Sequence, residues 1–220
     1  MKATVTGRSS RRAAIPAGVS ADMRTIIRGH EAAGQASPTT WWVEGVLPGE
    51  PRLALDSLFF APGQDCALVL FTGSPVKEIH RRDFFKLSYV YYGEAQLLLP
   101  GGSTRLTQGE AVLTAPRLAH VIDIGPASCV ASVMIRPRAI TTSPGYLGQD
   151  VGVFADYFLK VLYGGRGVPA LVIPRAESVA GAVRQTVEAM ARDLTNQQSR
   201  WNLSASAQLT CLLVYLARGS

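Results

Sequence analysis

Near residue 140 the hydrophobic period of this chain changes, and no other feature constrains its fold more. From Trp41 to Ile135 short apolar runs alternate with Gly, Pro, Asp and Ser. The segments that read as strands are Trp41–Val46, Leu53–Phe60, Ala67–Thr72, Lys86–Tyr92, Ala95–Leu99, Thr104–Leu106, Ala111–Thr114, His120–Ile124 and Ser128–Ile135. Gly101-Gly102 reads as a tight hairpin, because glycine supplies positive φ without steric cost. Short, evenly spaced strands of this kind point to an all-β barrel or jelly roll. After Ile140 the apolar residues recur every three or four positions. Phe154, Phe158, Val161 and Leu162 share one helical face, as do Val179, Val183, Val187, Met190 and Leu194. A last helix carries Ala205, Leu209, Leu212, Leu213 and Leu216 on one stripe. The fold class is therefore α+β, mainly β: a jelly-roll barrel followed by a C-terminal helical segment. The boundaries are 1–40 for a basic arm with a short helix capped by Ser20, 41–140 for the barrel, and 141–220 for the helices.

Composition narrows the function classes. With 220 residues and 47% hydrophobic content, the chain buries a core of ordinary size. Its longest apolar runs, Cys66–Phe71 and Cys211–Ala217, fall far short of a membrane span. The formal net charge is +6. Most of it sits in Lys2, Arg8, Arg11, Arg12, Arg24 and Arg28, opposed within residues 1–30 by Asp22 alone. The remainder is near neutral, so the body offers no basic stripe for phosphates. The start reads as a solvated arm, with a transit peptide as the alternative. Cys66, Cys129 and Cys211 have no metal-ligand spacing and read as buried thiols in a reducing, cytoplasmic compartment.

The richest stretch runs from His80-Arg-Arg-Asp-Phe-Phe-Lys86 through Tyr89, Tyr91 and Tyr92 to Gly93, followed by Gly109-Glu110 and then His120. It resembles the cupin-like sensor domain of AraC-type transcription regulators. In that family a His pair, an acidic motif, an aromatic strand and a Gly precede a Gly-acid turn and a further His. The resemblance covers roughly residues 40–135. It implies a barrel that senses a small molecule, sugar sensing being the family's habit, and helices that pair two protomers.

Metal-binding cupins present two His and a Glu from the first motif and one His from the second. Here His80 stands at the first position, but Arg82 stands at the second His and Lys86 at the Glu, leaving only His120 beside them. Two cations at ligand positions repel a divalent ion, and two His fall short of an ordinary catalytic zinc site. Ala115 and Arg117 also stand where the cupin pattern favours Pro and Gly. The expectation is no metal and no cofactor.

Arg82 and Lys86 are four apart in strand-like sequence and so share a sheet face. Facing inward, they make a cationic pocket for a carboxylate, phosphate or acidic sugar. Facing the mouth or the outside, they are solvated or paired with Asp83 or Glu110. Trp42, Tyr89 and Tyr91 suit the wall of a sugar pocket, since flat rings with polar tips stack on C–H faces. Ordinary core packing is the competing reading. Alternation places Tyr92 on the face opposite Tyr89 and Tyr91. The expected ligand-binding set is Trp42, Arg82, Lys86, Tyr89, Tyr91 and His120.

Nucleophile elbows, Walker loops and zinc-protease motifs are absent. Gly164-Gly165-Arg166-Gly167 follows a helix and reads as a helix stop. The expectation is a non-catalytic sensing and dimerisation domain whose ligand is a sugar or small anionic metabolite. A stand-alone cupin enzyme and a purely structural dimerisation domain are the alternatives. Dimerisation is expected through Leu209, Leu212, Leu213 and Leu216. Contact with DNA is expected only through helix-turn-helix motifs that this sequence does not contain. No membrane role is expected.

Overall fold

The computed structural model describes residues 15–32, 52–54, 60, 63–72, 79–142, 147–148, 151–164, 167–195 and 201–219. Its elements are α1 (Ala21–Ala32), β1 (Arg52–Ala54), β2 (Cys66–Thr72), β3 (His80–Arg82), β4 (Phe85–Tyr92), β5 (Glu94–Leu99), β6 (Gly102–Thr107), β7 (Ala111–Thr114), β8 (Val121–Ile124), β9 (Cys129–Ile135), α2 (Pro137–Thr142), α3 (Gly152–Tyr163), β10 (Leu171–Ile173), α4 (Glu177–Thr195) and α5 (Trp201–Gly219).

Two antiparallel sheets form the β layer. The larger has the order β10-β7-β4-β9-β2, the smaller β6-β5-β8. A parallel pair, β1 with β3, adjoins them. This is the mainly antiparallel, two-sheet arrangement expected for the chain, with helices after it. The strands expected at Trp41–Val46 and over residues 55–59 lie outside the described residues. Sequence reasoning missed β3, β10 and α2, all too short to show a period.

Strand alternation gives the large sheet two apolar faces. Leu68, Leu70, Phe85, Leu87, Leu113, Ala131 and Val133 pack against the helices. Phe71, Val90, Val112, Val130 and Met134 face Ala95, Leu97, Leu106, Ile122 and Ile124 of the small sheet. A strand buried on both sides reads as continuous apolar sequence, and every residue of β4 and β9 is buried. Two glycines of the motif have a steric reason. Gly93 turns β4 into β5 at φ 78°, and a side chain there would overlap Ser128; Gly109 at φ 92° lies against Arg175.

The helical layer packs as the periodicities indicate, with one change. Ser20 caps α1 by accepting from the Met23 N–H at 3.3 Å. Val183, Val187 and Met190 of α4 are buried. On α5, Leu209, Leu212, Leu213 and Leu216 are all buried within the single chain, in the core shared with α3, α4 and β2. This corrects their assignment as the dimer contact: side chains already packed in one protomer have no surface left for a second. The face of α5 that stays outside carries Leu203, at 74% exposure, Ala207 and Cys211, with Val214 half-buried. Cys211 is exposed, unlike Cys66 and Cys129, so the reading of three buried thiols holds for two. Burial, helped by Asp65, pushes the Cys66 thiol up to about 12. Among the described residues no helix is long and apolar enough to cross a membrane.

Candidate functional site

Among the described residues the space between the two sheets is apolar except for one stripe and the adjoining His80. Lys86 and Ser88 on β4 point to the same side as Val90, which belongs to the inner core. The register sets Lys86 between Thr114 of β7 and Met134 of β9, and Ser88 between Val112 and Ser132. The polar residues therefore run across three neighbouring strands. Arg82, just before β4, and His120, just before β8, lie at one end. All are buried: Arg82 is 6% exposed, Lys86 4%, and Ser88, Thr114, Ser132 and His120 1% or less.

The backbone brings the two motif histidines together. His80 and His120 exchange N–H···O bonds of 3.1 and 2.9 Å in an isolated antiparallel bridge, and their ring centroids lie 5.6 Å apart. The partners of His120 settle its tautomer. Nδ1 lies 2.8 Å from the Leu118 carbonyl oxygen, which only accepts, so Nδ1 carries the proton. Nε2 is then an acceptor, and it takes an N–H from Arg82 Nη1 at 2.9 Å. Thr114 Oγ1 stands 3.5 Å from the same nitrogen.

Electrostatics follow from this crowding of like charge. Burial, then Arg82, then Lys86 hold the His120 imidazolium well below the usual range, against a smaller opposing effect of the Leu118 carbonyl. Lys86 is lowered well below an ordinary lysine, first by burial and then by Arg82. Burial brings Arg82 down to about 9, which leaves it charged at neutral pH. The Lys86 ammonium stands 5.3 Å from the centroid of the Phe71 ring.

These residues do not fit the divalent metal of the cupin pattern. The nitrogen that His120 would offer already accepts from a guanidinium, and Lys86 stands where a carboxylate is required. Among the described residues no three His, Cys, Asp or Glu side chains cluster as a metal set.

The structure brings Arg82, Lys86 and His120 together inside the barrel, which decides between the inward and outward readings. Glu110, the proposed surface partner, instead accepts from its own turn at Thr107 N (2.6 Å) and Thr107 Oγ1 (2.9 Å). Tyr89 and Tyr91 do not join the set. Odd-numbered residues of β4 face the helices, so alternation separates both from Lys86. Tyr91 donates to Glu188 Oε1 of α4 at 2.5 Å, and the Arg184 guanidinium stacks 4.3 Å over its ring. Burial and that bond to Glu188 raise the Tyr91 hydroxyl above its ordinary range. A bulge between Val90 and Tyr92 brings Tyr92 onto the helix-facing side as well, correcting its expected opposite placement. Trp42 lies outside the described residues.

Glu188 stands four residues from both Arg184 and Arg192 on α4, a spacing typical of a solvated ladder, but it is drawn inward instead. Its side chain is 13% exposed and accepts from Tyr91, Ser20 and Arg184, while Arg184 donates to the Gly18 carbonyl. This network ties the N-terminal helix to the barrel and to α4. Ser88, Thr114 and Ser132 are the stripe residues that sequence reasoning missed. Ser88 had a legible signal, two positions from Lys86 on the same face. Ser132 had none, since only strand pairing sets it beside Ser88, with oxygens 3.2 Å apart.

A separate groove of about 790 Å³ opens on the other side of β3. Arg81, Asp83, Ala115–Ala119, Val161, Leu162 and Val168 are among its walls, and none of the expected ligand residues lines it. The 115–119 loop is the partition between groove and stripe. Its Arg117, where the cupin pattern favours Gly, has φ 63° and donates its N–H to the Arg82 carbonyl.

No protein-family model and no curated protein matches this chain. Solved structures with a similar backbone include apo ToxT from Vibrio cholerae strain SCE256, at 13% identity and TM-score 0.43, covering 67% of this chain and 54% of that one. They also include KdgF from Halomonas sp., at 23% identity and TM-score 0.30, covering 43% and 85%. An RmlC-like cupin from Shewanella frigidimarina NCIMB 400 matches at 20% identity and TM-score 0.29, covering 33% and 67%. The chain spans about half the length of the ToxT structure it matches.

Proposed function

We propose that this chain is the effector-sensing and dimerisation domain of an AraC-type transcription regulator, working in the cytoplasm without catalysis or cofactor. The ligand is a sugar or a small anionic metabolite, taken up between the two sheets. The observation that carries the reading is the buried stripe of Arg82, Lys86, Ser88, Thr114, Ser132 and His120 inside an otherwise apolar barrel. Buried polar side chains add little to stability over apolar ones of the same size, so a core has no need of six in one place. An interior with convergent polar groups is the ordinary form of a small-molecule site.

In this reading a second copy docks on the outer face of α5, through Leu203, Ala207, Cys211 and Val214. DNA is met through helix-turn-helix motifs outside these 220 residues. A thermal-shift screen of a metabolite library tests the sensing role. A reproducible rise in Tm for one chemical class supports it, and a flat response to sugars and acids alike removes it. One equivalent of transition metal in the purified protein, lost on His120→Ala, would favour a cupin enzyme instead. Light scattering tests the dimer: a mass near 23.5 kDa at micromolar concentration refutes it.

A further inference from the structure

Lys86 lies in the stripe with no counter-charge among the described residues. Its side chain is 4% exposed, and its ammonium meets the Phe71 ring at 5.3 Å. Among the described residues no carboxylate and no hydrogen-bond acceptor is placed on it. The charge acting on it is that of Arg82, of the same sign. Charged groups are buried when they are paired, and truncating one partner of such a pair is costly. A methionine of nearly the same shape would fill this space with no such demand. The lysine is therefore explained by something that arrives with a negative charge.

Its neighbours say which anion. His120 accepts one N–H of Arg82 and supplies no counter-charge, so an anion here is held within a largely apolar interior, where a monoanion costs less to desolvate than a dianionic phosphate. Ser88 and Ser132 lie one step along the same face, each next to a different strand partner. Their hydroxyls now bond each other and can turn to a ligand oxygen at the cost of one weak contact. Beyond them the inner face is apolar, with Phe71, Val90, Val112 and Val130.

We infer that the stripe is a carboxylate-binding site, in which Lys86 pairs with the single carboxylate of a small organic acid while Ser88 and Ser132 meet its neutral oxygens. The inference rests on the sensing role proposed above and narrows its ligand from sugar or acid to acid. An arriving carboxylate also opposes the effect of burial and Arg82 on Lys86 and favours its ammonium form.

The test uses the full chain with matched probes at constant ionic strength: acetate, lactate, benzoate, hexanoate and D-galacturonate against acetamide, lactamide, benzamide, hexanamide and D-galactose, with D-galactose 1-phosphate as the dianion. The expected result is a Tm rise of roughly 5–10 °C for at least one carboxylate at a hundredfold excess over its Kd. The matching neutral compound gives none. Lys86→Met folds at least as stably as the parent and loses the shift; Ser88→Ala weakens it. Three results overturn the inference while the sensing role stands: a response to neutral sugar equal to that to acid, a preference for the phosphate, or a carboxylate shift that survives in Lys86→Met. A Lys86→Met protein that fails to fold also overturns it, since the lysine would then serve the core. No response to any probe defeats both readings together.

Discussion

Arg82 and His120, 38 positions apart in sequence, are joined by one 2.9 Å hydrogen bond from Nη1 to Nε2. The bond occupies the nitrogen through which a cupin histidine would hold its metal. A cation built into the chain stands where the metal-binding pattern would set a ligand. This follows from two side chains, so two substitutions should reverse it.

Arg82→His with Lys86→Glu recreates the donor set of the cupin pattern around His80 and His120. The double variant is expected to bind about one equivalent of zinc or manganese by elemental analysis, where the parent binds far less. Failure of a correctly folded double variant to bind metal would show that these four positions do not converge as their registers indicate.

Acid should weaken the fold through His120. The groups facing it are Arg82, Lys86, Thr114, His80 and the Leu118 carbonyl. Its folded value lies well below the ordinary 6.5, so the unfolded chain binds the proton more readily. The contribution is complete above about pH 6.5 and is lost as pH falls towards the folded value. Lys86 adds a slope of the same sign over a window that ends near its ordinary 10.5. Urea unfolding between pH 5 and 7 should show stability rising with pH, and His120→Gln should flatten that rise by up to about 1.4 kcal/mol per pH unit.

Removing the Tyr91 hydroxyl tests the tie between barrel and helices. Tyr91→Phe keeps the ring under Arg184 and deletes the 2.5 Å bond to Glu188. The loss should be about 1.5–3 kcal/mol, the range for a hydrogen bond to a charged group. Hydrogen exchange should quicken in α1, which Ser20 fastens to the same carboxylate. An unchanged α1 would mean that the network is not shared.

The two faces of α5 should separate stability from association. Leu213→Ala removes a fully buried side chain and should cost about 2–5 kcal/mol in denaturant unfolding, with no preference for monomer. Leu203→Glu alters a residue 74% exposed, so stability should stay within about 0.5 kcal/mol. Light scattering should then show the mass falling from dimer to monomer. A dimer that persists in Leu203→Glu places the contact elsewhere.

Local pattern alone determined the β-to-helix change near residue 140, most strand limits within a residue or two, and the Ser20 cap, while the place of Arg82 and Lys86 at metal-ligand positions came from the resemblance to the cupin motif. The first three follow from side-chain period and residue type, which are properties of neighbours in sequence. The expected ligand set grouped Tyr89 and Tyr91 with Lys86 on aromatic character, although odd and even positions of one strand face opposite ways. Tertiary structure decided the rest. Tyr92 changes face because a bulge adds one residue to β4, which no pattern of apolar residues announces. Ser132 joins Ser88, and His80 joins His120, through pairings across 44 and 40 positions. The leucine stripe of α5 looks the same whether it meets its own chain or a second copy. Only the position of α5 against α3, α4 and β2 assigns it to the interior, because burying an apolar face lowers the free energy equally well against either surface.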